Sequence, residues 1–291
     1  MVSIRAVPTE KRQRQKEGRR ARLEAQRKVD KRRQLTRRTG IVVVVAAIVV
    51  GSVYLLTKPG STPATTSTTS TTTQASQAQT QANAVAVAAG CSEALPSAAN
   101  PTTKQSWKTQ PAMSLDLSKT YYATVVTTVG TFKIKLNTTT TPANTNSFVF
   151  LAKHHFFSCV PFQRVIPGFM NQTGDPTGTG SGGPGYTVTS NEFPAPTSPI
   201  QYPKGAVAMA NSCPQTTAAS ACPPSNGSQF FVVAKALTQA ELAAKYTYFG
   251  NVVSGIGVVE KINSQGNSNV NDNGAPPIVT ERILSVTITT S

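Results

Sequence analysis

Residues 162–172 read FQRVIPGFMNQ, which places two short apolar runs on either side of a Pro-Gly pair. Runs of this length that contain Val, Ile and Phe and are bounded by Pro or Gly are typical of strands. We therefore predict strands at 162–165 and 169–172. The first strand carries Arg164, whose guanidinium is a permanent cation, and the second ends on Gln172.

The strand pattern continues on both sides of this stretch. Phe132, Ile134 and Leu136 alternate with two lysines, so one face of that strand is predicted to be buried and the other wet. Thr141-Pro142 is predicted to begin a helix, with Thr141 as its N-cap. Further strands are predicted at 121–128, 131–136, 206–209, 229–234, 246–252 and 278–289, and helices at 142–153 and 257–262. Many short strands with two helices indicate an all-β closed barrel whose ends are covered.

Three segments together point to a chemistry: the 162–172 stretch, Met209-Ala210-Asn211, and NGSQFF at 226–231. In this order and spacing they resemble the cyclophilin family of peptidyl-prolyl cis-trans isomerases, and the resemblance covers 121–290. It implies a closed, eight-stranded antiparallel barrel capped by two α-helices, with a peptide groove on its outer surface. It also implies catalysis of rotation about X-Pro bonds, for which no cofactor and no metal is expected.

The resemblance assigns the site as well. The residues predicted to be catalytic are Arg164, Gln172 and Phe169, and those predicted to bind substrate are Met170, Ala210, Asn211, Gln229, Phe231, Leu242 and Tyr246. Rotation about a prolyl amide has a barrier of about 18–20 kcal/mol, because the nitrogen lone pair is delocalised into the carbonyl. Arg164 can withdraw that lone pair with a rigid, always charged fork of donors, while the apolar members of the set form a pocket for the proline ring.

Two positions depart from the family pattern. Glu241 stands where many cyclophilins have a tryptophan, so weak or no binding of cyclosporin-like ligands is expected. Tyr246 stands where they have a histidine, and it can still present a hydroxyl and an aromatic face. The connection at 212–225 is also longer than usual. A second function therefore stays open, a non-catalytic module or scaffold at the membrane surface that binds proline-containing segments.

The N-terminal region has a different composition from the rest of the chain. Residues 1–40 contain 15 Lys and Arg against 4 Asp and Glu, so this tail carries most of the net charge of +16. The 19 uncharged residues at 39–57 suffice for a transmembrane helix of roughly 28 Å. A cleaved signal peptide is the alternative. The basic side is predicted to stay in the cytoplasm and 58–291 to be exported, and no nucleic-acid partner is expected, although the tail alone leaves that class open.

All four cysteines lie in the part predicted to be exported, where disulfides persist. Four cysteines allow three pairings, of which we prefer Cys91 with Cys159 and Cys213 with Cys222. Residues 58–90 are rich in Ser, Thr, Ala and Gln and are predicted to be a flexible, disordered linker. Residues 91–118 are predicted to dock on the domain at 119–291 through Cys91 and Trp107.

Overall fold

The computed structural model of the protein describes residues 68–214, 216–269 and 271–291. Within these residues there are three α-helices, eight β-strands and a single 3-10 turn at Ala219–Ala221. In chain order they are α1 (Thr68–Ala88), β1 (Tyr121–Thr127), β2 (Gly130–Leu136), α2 (Pro142–Lys153), β3 (Arg164–Ile166), β4 (Met170–Thr173), β5 (Ala206–Met209), β6 (Phe230–Val233), β7 (Tyr248–Ser254), α3 (Ile256–Ser264) and β8 (Ile283–Thr290). Every strand predicted in the domain is present, although several begin or end at other residues.

The basic tail at 1–38 and the predicted transmembrane helix at 39–57 lie outside the described residues. None of the helices in the described ranges has both the length and the apolar character needed to cross a bilayer. The membrane anchor therefore stays a prediction.

The eight strands form one antiparallel sheet in the order β3-β4-β6-β5-β7-β2-β1-β8. The sheet curls, but the prediction of a closed barrel is wrong, because β3 and β8 at its two ends do not pair as strands. The edge of β3 is occupied by an irregular segment instead: Val165 N–H donates to Gly274 C=O at 2.8 Å and Val165 C=O accepts from Asn267 N–H at 3.1 Å. Near the gap a single bridge joins Pro161 to Arg282, and proline has no N–H with which to extend a ladder.

The concave side of the sheet holds the main core. Phe132, Ile134 and Leu136 are buried, as their alternation with lysines predicts. The helix α2 lies against β8, and α3 lies against β2 and β4. Aromatic rings at the centre contact one another with centroids 5.1–6.1 Å apart, in the edge-to-face and tilted arrangements that rings prefer.

The N-terminus of α2 is capped by a residue that the sequence did not predict. Thr141 makes no side-chain cap, because its hydroxyl donates back to Asn137 C=O at 2.8 Å. The Glu192 carboxylate accepts instead from the N–H groups of Ala143 and Asn144, at 2.9 and 3.0 Å. A carboxylate at a helix N-terminus is favourable because it meets both unpaired donors and the positive end of the helix dipole.

The prediction of a disordered linker is wrong for 68–88, which forms α1 and belongs to the same compact unit as the sheet. Ala82 and Ala86, one turn apart, are buried. The Gln79 side chain accepts from Thr280 N–H at 2.7 Å and donates to Thr280 C=O at 3.4 Å. The small side chains of α1 allow it to pack closely against the rest of this unit. Hydrogen bonds to residues distant in the chain stabilise the packing, although the helix has few hydrophobic residues.

The docking segment 91–118 contains no helix or strand, and it contacts the domain at both predicted points. Cys91 forms a disulfide with Cys159, with Cα atoms 5.5 Å apart. The Trp107 ring meets Phe150 edge-on, with centroids 5.1 Å apart.

Candidate active site

Arg164 lies on β3 and its guanidinium is held at three points. Nε donates to Asn273 C=O at 2.8 Å, Nη2 donates to Asn273 Oδ1 at 2.7 Å, and Nη1 donates to Gln172 Oε1 at 3.1 Å. Gln172 is the direct cross-strand partner of Arg164 on β4. Burial lowers the pKa of Arg164, and nearby Tyr246 opposes that shift. An arginine stays charged at neutral pH despite such a shift, so the site holds a fixed, partly desolvated cation.

Gln172 also connects the cation to a glycine-rich loop. Its Nε2 donates to Gln229 Oε1 at 2.9 Å, and Gln229 Nε2 donates in turn to the C=O groups of Gly180 and Gly182, each at 2.9 Å. Three residues that the sequence predicted for the site therefore form one hydrogen-bonded chain, from Arg164 through Gln172 to Gln229.

The predicted apolar residues of the site lie together in a second cluster, on the opposite side of the sheet from the main core. Successive side chains of a strand point to opposite faces of the sheet. On β6, Phe230 therefore belongs to the main core and Phe231 to this outer apolar cluster. Phe231 is 4% exposed, and the Tyr246 ring stands edge-on to it with centroids 5.4 Å apart. The cluster contains Phe169, Met170, Ala210, Phe231, Leu242 and Tyr246 among its members.

Asn211 uses its side chain within the protein. Its Nδ2 donates to Lys245 C=O at 2.7 Å and its Oδ1 accepts from Cys213 N–H at 3.0 Å. Its backbone N–H and C=O make no hydrogen bond to any described residue. Asn211 can therefore offer its main chain, as predicted, to a bound peptide. Ala210 is tied down by a bond from its N–H to Gln229 C=O at 2.9 Å.

Glu241 is occupied by neighbours on its own loop. The Thr238 N–H and hydroxyl donate to its carboxylate at 2.9 and 3.0 Å, and Lys235 Nζ lies 3.0 Å away. The Thr238 backbone bond, followed by the Lys235 and Thr238 side chains, lowers the pKa of Glu241 to about 2. The position that carries tryptophan in many cyclophilins is thus an exposed anion that closes a loop.

The long connection at 212–225 is closed by the second predicted disulfide, Cys213–Cys222, with Cα atoms 5.4 Å apart. Lys245, which is buried, donates from Nζ to the C=O groups of Pro214 and Thr217, each at 3.1 Å. A disulfide and a buried ammonium therefore both hold this connection next to Asn211.

Three residues that position the site were not predicted from the sequence. Asn273, which holds Arg164, is 109 positions away in an irregular segment, and its φ of 50° lies in the left-handed region that asparagine tolerates. The Tyr202 hydroxyl donates to Tyr246 C=O at 3.0 Å and accepts from Tyr246 N–H at 3.1 Å. Lys245 is the third. The Asn-Gly pair at 273–274 signals a turn but not its contact with Arg164.

Comparison with known proteins identifies relatives of the region that forms the sheet. The sequence model of the family described as "Cyclophilin type peptidyl-prolyl cis-trans isomerase/CLD" matches residues 122–288. A probable peptidyl-prolyl cis-trans isomerase B of Mycobacterium leprae is 34% identical over 170 residues, which are 54% of this chain and 53% of that protein. A peptidyl-prolyl cis-trans isomerase of Helicobacter pylori is 34% identical over 157 residues, which are 53% of this chain and 88% of that protein.

A third relative and a solved structure extend the comparison. The peptidyl-prolyl cis-trans isomerase-like 2 of Cryptococcus neoformans is 36% identical over 169 residues, 57% of this chain but only 27% of that protein. The crystal structure of a cyclophilin type peptidyl-prolyl cis-trans isomerase from Cryptosporidium parvum superposes with a TM-score of 0.50 at 26% identity, covering 59% of this chain and 99% of that one. The chain thus spans about half of the Mycobacterium relative and about a quarter of the Cryptococcus relative.

Proposed function

Because the chain belongs to the cyclophilin-type peptidyl-prolyl cis-trans isomerase family, we propose that it is an enzyme that catalyses cis-trans rotation of X-Pro bonds in polypeptides. The observation that carries this proposal is the guanidinium of Arg164, fixed by Asn273 and Gln172 beside the outer apolar cluster. Rotation breaks no covalent bond of the substrate, so positioned donors and a shaped surface are sufficient.

Arg164 supplies the donor. A guanidinium has five N–H groups, and three of them are used by Asn273 and Gln172. The other two are available to a substrate. A charged N–H directed at the prolyl nitrogen favours the state in which the lone pair is localised there, which is the twisted state with single-bond character. Asn273 and Gln172 hold the cation in position before substrate arrives, so little reorganisation is required.

The outer apolar cluster holds the proline. Met170 and Phe231 are almost fully buried and form a firm floor, while Phe169 and Tyr246 are half-buried and accessible. A ring held against this surface stays still while the acyl side of the bond turns. The backbone of Asn211 holds the flanking peptide, because its N–H and C=O match the acceptor and donor of an extended chain.

The proposed location is the outer surface of a membrane, where the enzyme acts on exported proteins. The apolar run at 39–57 with its basic N-terminal flank supports an anchor whose basic side is cytoplasmic. The disulfides Cys91–Cys159 and Cys213–Cys222 support an oxidising compartment for the domain. Alkylation of accessible thiols in intact cells tests this location, because oxidised cysteines resist labelling until a reductant is added.

Weak binding of cyclosporin-like ligands is part of the proposal. Glu241 provides neither an indole N–H nor an aromatic wall, and its carboxylate is already bonded to Thr238 and Lys235. An apolar cyclic ligand would cover this anion without offering it a donor, which is unfavourable.

The competing function is a non-catalytic module that holds proline-containing segments. An NMR exchange experiment separates the two: a short peptide with one proline is mixed with a catalytic amount of the full oxidised chain. We expect exchange cross-peaks between cis and trans forms within the mixing time, where the free peptide shows none because its isomerisation takes tens of seconds or longer. Peptide resonances that shift or broaden on binding without cis-trans exchange would favour the binding module.

A further inference from the structure

A groove of about 1070 Å³ begins at the candidate active site and continues away from the outer apolar cluster. It shares Gln172, Ala210, Asn211 and Gln229 with the site. Its volume is slightly above the roughly 300–1,000 Å³ of small-ligand pockets, so it has room for residues beyond the proline. One of its walls comes from residues 106–110, which lie outside the region matched by the family.

That wall is fixed to the domain at several points. Trp107 N–H donates to Pro184 C=O at 2.9 Å, and Gln110 Oε1 accepts from Thr189 N–H at 2.8 Å. Gly185 permits the close approach, since a Cβ at this position would lie 2.2 Å from Ser106 Oγ and 2.7 Å from Trp107 C=O. With the Trp107 ring packed on Phe150, this segment forms a built surface beside the groove.

The floor and the facing wall are fixed as well. The buried Asp175 carboxylate accepts from the N–H groups of Gly180 and Gly182, at 2.6 and 3.1 Å, which orders the glycine-rich loop of the floor. The facing wall includes Ser212 and Ser225, the two ends of the disulfide-closed connection. Ser212 N–H donates to Ser225 Oγ at 3.0 Å. The groove is therefore shaped before any ligand binds.

The described residues that line the groove carry a net positive charge. Among the described residues, most of those that line it are polar or glycine, and they include one cation, Lys108, and no Asp or Glu. Lys108 is exposed, and it is in none of the ion pairs formed by the described residues. The carboxylate of Asp175 lies beneath the floor and is occupied by the loop. The complement of such a surface is a polypeptide segment with an acidic side chain.

We propose that Lys108, on the wall that lies outside the family domain, selects an acidic side chain in the polypeptide segment that flanks the target proline and occupies this groove. The proposal rests on the proposed function of the neighbouring site, with which the groove is continuous. It makes a segment before the family domain a determinant of substrate choice. Lys108 does not contact the prolyl bond, so it acts on specificity and not on the rotation itself.

The test uses peptides with one proline and Glu, Gln or Lys at a single position, two to four residues before or after it. Their dissociation constants for the full oxidised chain are measured by calorimetry at low salt. At one position we expect the Glu peptide to bind about two- to fivefold tighter than the Gln peptide, and the Lys peptide to bind more weakly. High salt should remove the difference, because the pair is exposed to solvent.

The matched variants are Lys108→Glu and Lys104→Glu, which change the net charge equally. Lys104 is an exposed residue of the same segment that does not line the groove. Lys108→Glu should reverse the preference in favour of Lys peptides, and Lys104→Glu should leave it unchanged. Equal binding of the three peptides, no binding of any of them, or equal effects of the two variants would overturn the proposal.

Isomerisation of the same peptides is measured in parallel. A charge preference in binding without acceleration of cis-trans exchange would refute the proposed catalysis and retain the groove. Acceleration of exchange with no charge preference in binding would refute the groove and retain the catalysis.

Discussion

Arg164 and Arg282 are two desolvated arginines with different surroundings. Burial lowers the pKa of both, and neither forms an ion pair with a carboxylate of the described residues. Arg282 is 1% exposed and donates to the C=O groups of Ser92 and Glu93, at 2.6 and 3.0 Å, and to Asn83 Oδ1 at 3.2 Å. Arg164 is bonded by Asn273 and Gln172, but its side chain is half-exposed, and Tyr246 of the outer apolar cluster lies near enough to affect its pKa.

Under the proposed function, the same residue type stabilises the fold at one position and takes part in catalysis at the other. Arg282 uses its guanidinium to bind the segment around Cys91 and the helix α1 to the end of the sheet, so its charge is enclosed by the protein. Arg164 also donates three hydrogen bonds, but its side chain is half-exposed, so in the proposed function its remaining N–H groups are accessible to a substrate. A buried cation without a carboxylate partner indicates catalysis only where part of its donor set faces a cavity that substrate can enter.

The largest effect that separates the two arginines is expected in stability. Arg282→Met keeps an unbranched side chain but removes the three hydrogen bonds from the buried guanidinium to Ser92, Glu93 and Asn83, which tie α1 and the segment around Cys91 to the sheet. We expect the free energy of unfolding to fall by roughly 2–4 kcal/mol, measured by urea denaturation of the oxidised chain. At temperatures where the variant is folded, kcat/KM for prolyl isomerisation should stay at the wild-type value. A large loss of kcat/KM in the folded variant would contradict the structural role.

A smaller effect is expected at the residue that positions Arg164. Asn273→Gly keeps the backbone carbonyl and tolerates the left-handed φ of 50°, but it removes the acceptor of Nη2. We expect kcat/KM to fall about three- to tenfold, which corresponds to the loss of one hydrogen bond of about 0.6–1.4 kcal/mol, because Asn273 C=O still accepts from Nε. KM should change less than kcat, because the ring pocket is intact. Wild-type kinetics in this variant would show that the bond is dispensable.

The smallest effect concerns Glu281, the neighbour of Arg282. Burial raises the pKa of its carboxyl, against the hydrogen bonds from Thr128 and Gln265 and the charge of Lys261. The folded chain therefore retains this proton at pH values where the unfolded chain has lost it, so stability falls as pH rises above about 4.3 towards the folded pKa.

Glu281→Gln should remove this decline, because an amide does not titrate. The unfolding free energy of the variant relative to the wild type is then expected to increase with pH across the same window. Parallel pH profiles of the two chains would show that Glu281 titrates normally.

Much of the sheet could be predicted from the sequence because its signals are local. The alternation around Phe132 and Ile134 and the Pro-Gly pair at 167–168 each act within a few residues. The open edge of the sheet could not be predicted, since it depends on an irregular segment that pairs with Val165. The helix α1 was missed because its Ser- and Thr-rich composition predicts disorder, whereas its order depends on contacts with Thr280 and Arg282.

The site divides in the same way. The proximity of residues in the 162–172 and 226–231 segments could be predicted, because both segments carry recognisable sequence motifs. Strand pairing then fixes their relative position. Asn273, Tyr202 and Lys245 could not, since each acts through a contact between distant parts of the chain. The cap of α2 is similar: Thr141 is the local candidate, but Glu192 from a distant loop takes the position because a carboxylate can accept from two N–H groups at once.

The role proposed for Arg164 is tested most directly by the rate of cis-trans exchange of one proline peptide, measured with the full oxidised wild-type chain and with Arg164→Ala. The variant should keep its unfolding free energy, since Arg164 is half-exposed, and should lose roughly a hundredfold or more in kcat/KM, as removal of a preorganised donor implies. Arg164→Lys should recover little of this loss, because an ammonium cannot bond Asn273 and Gln172 in the same fork geometry. A folded Arg164→Ala chain that isomerises the peptide at the wild-type rate would contradict the role assigned to Arg164.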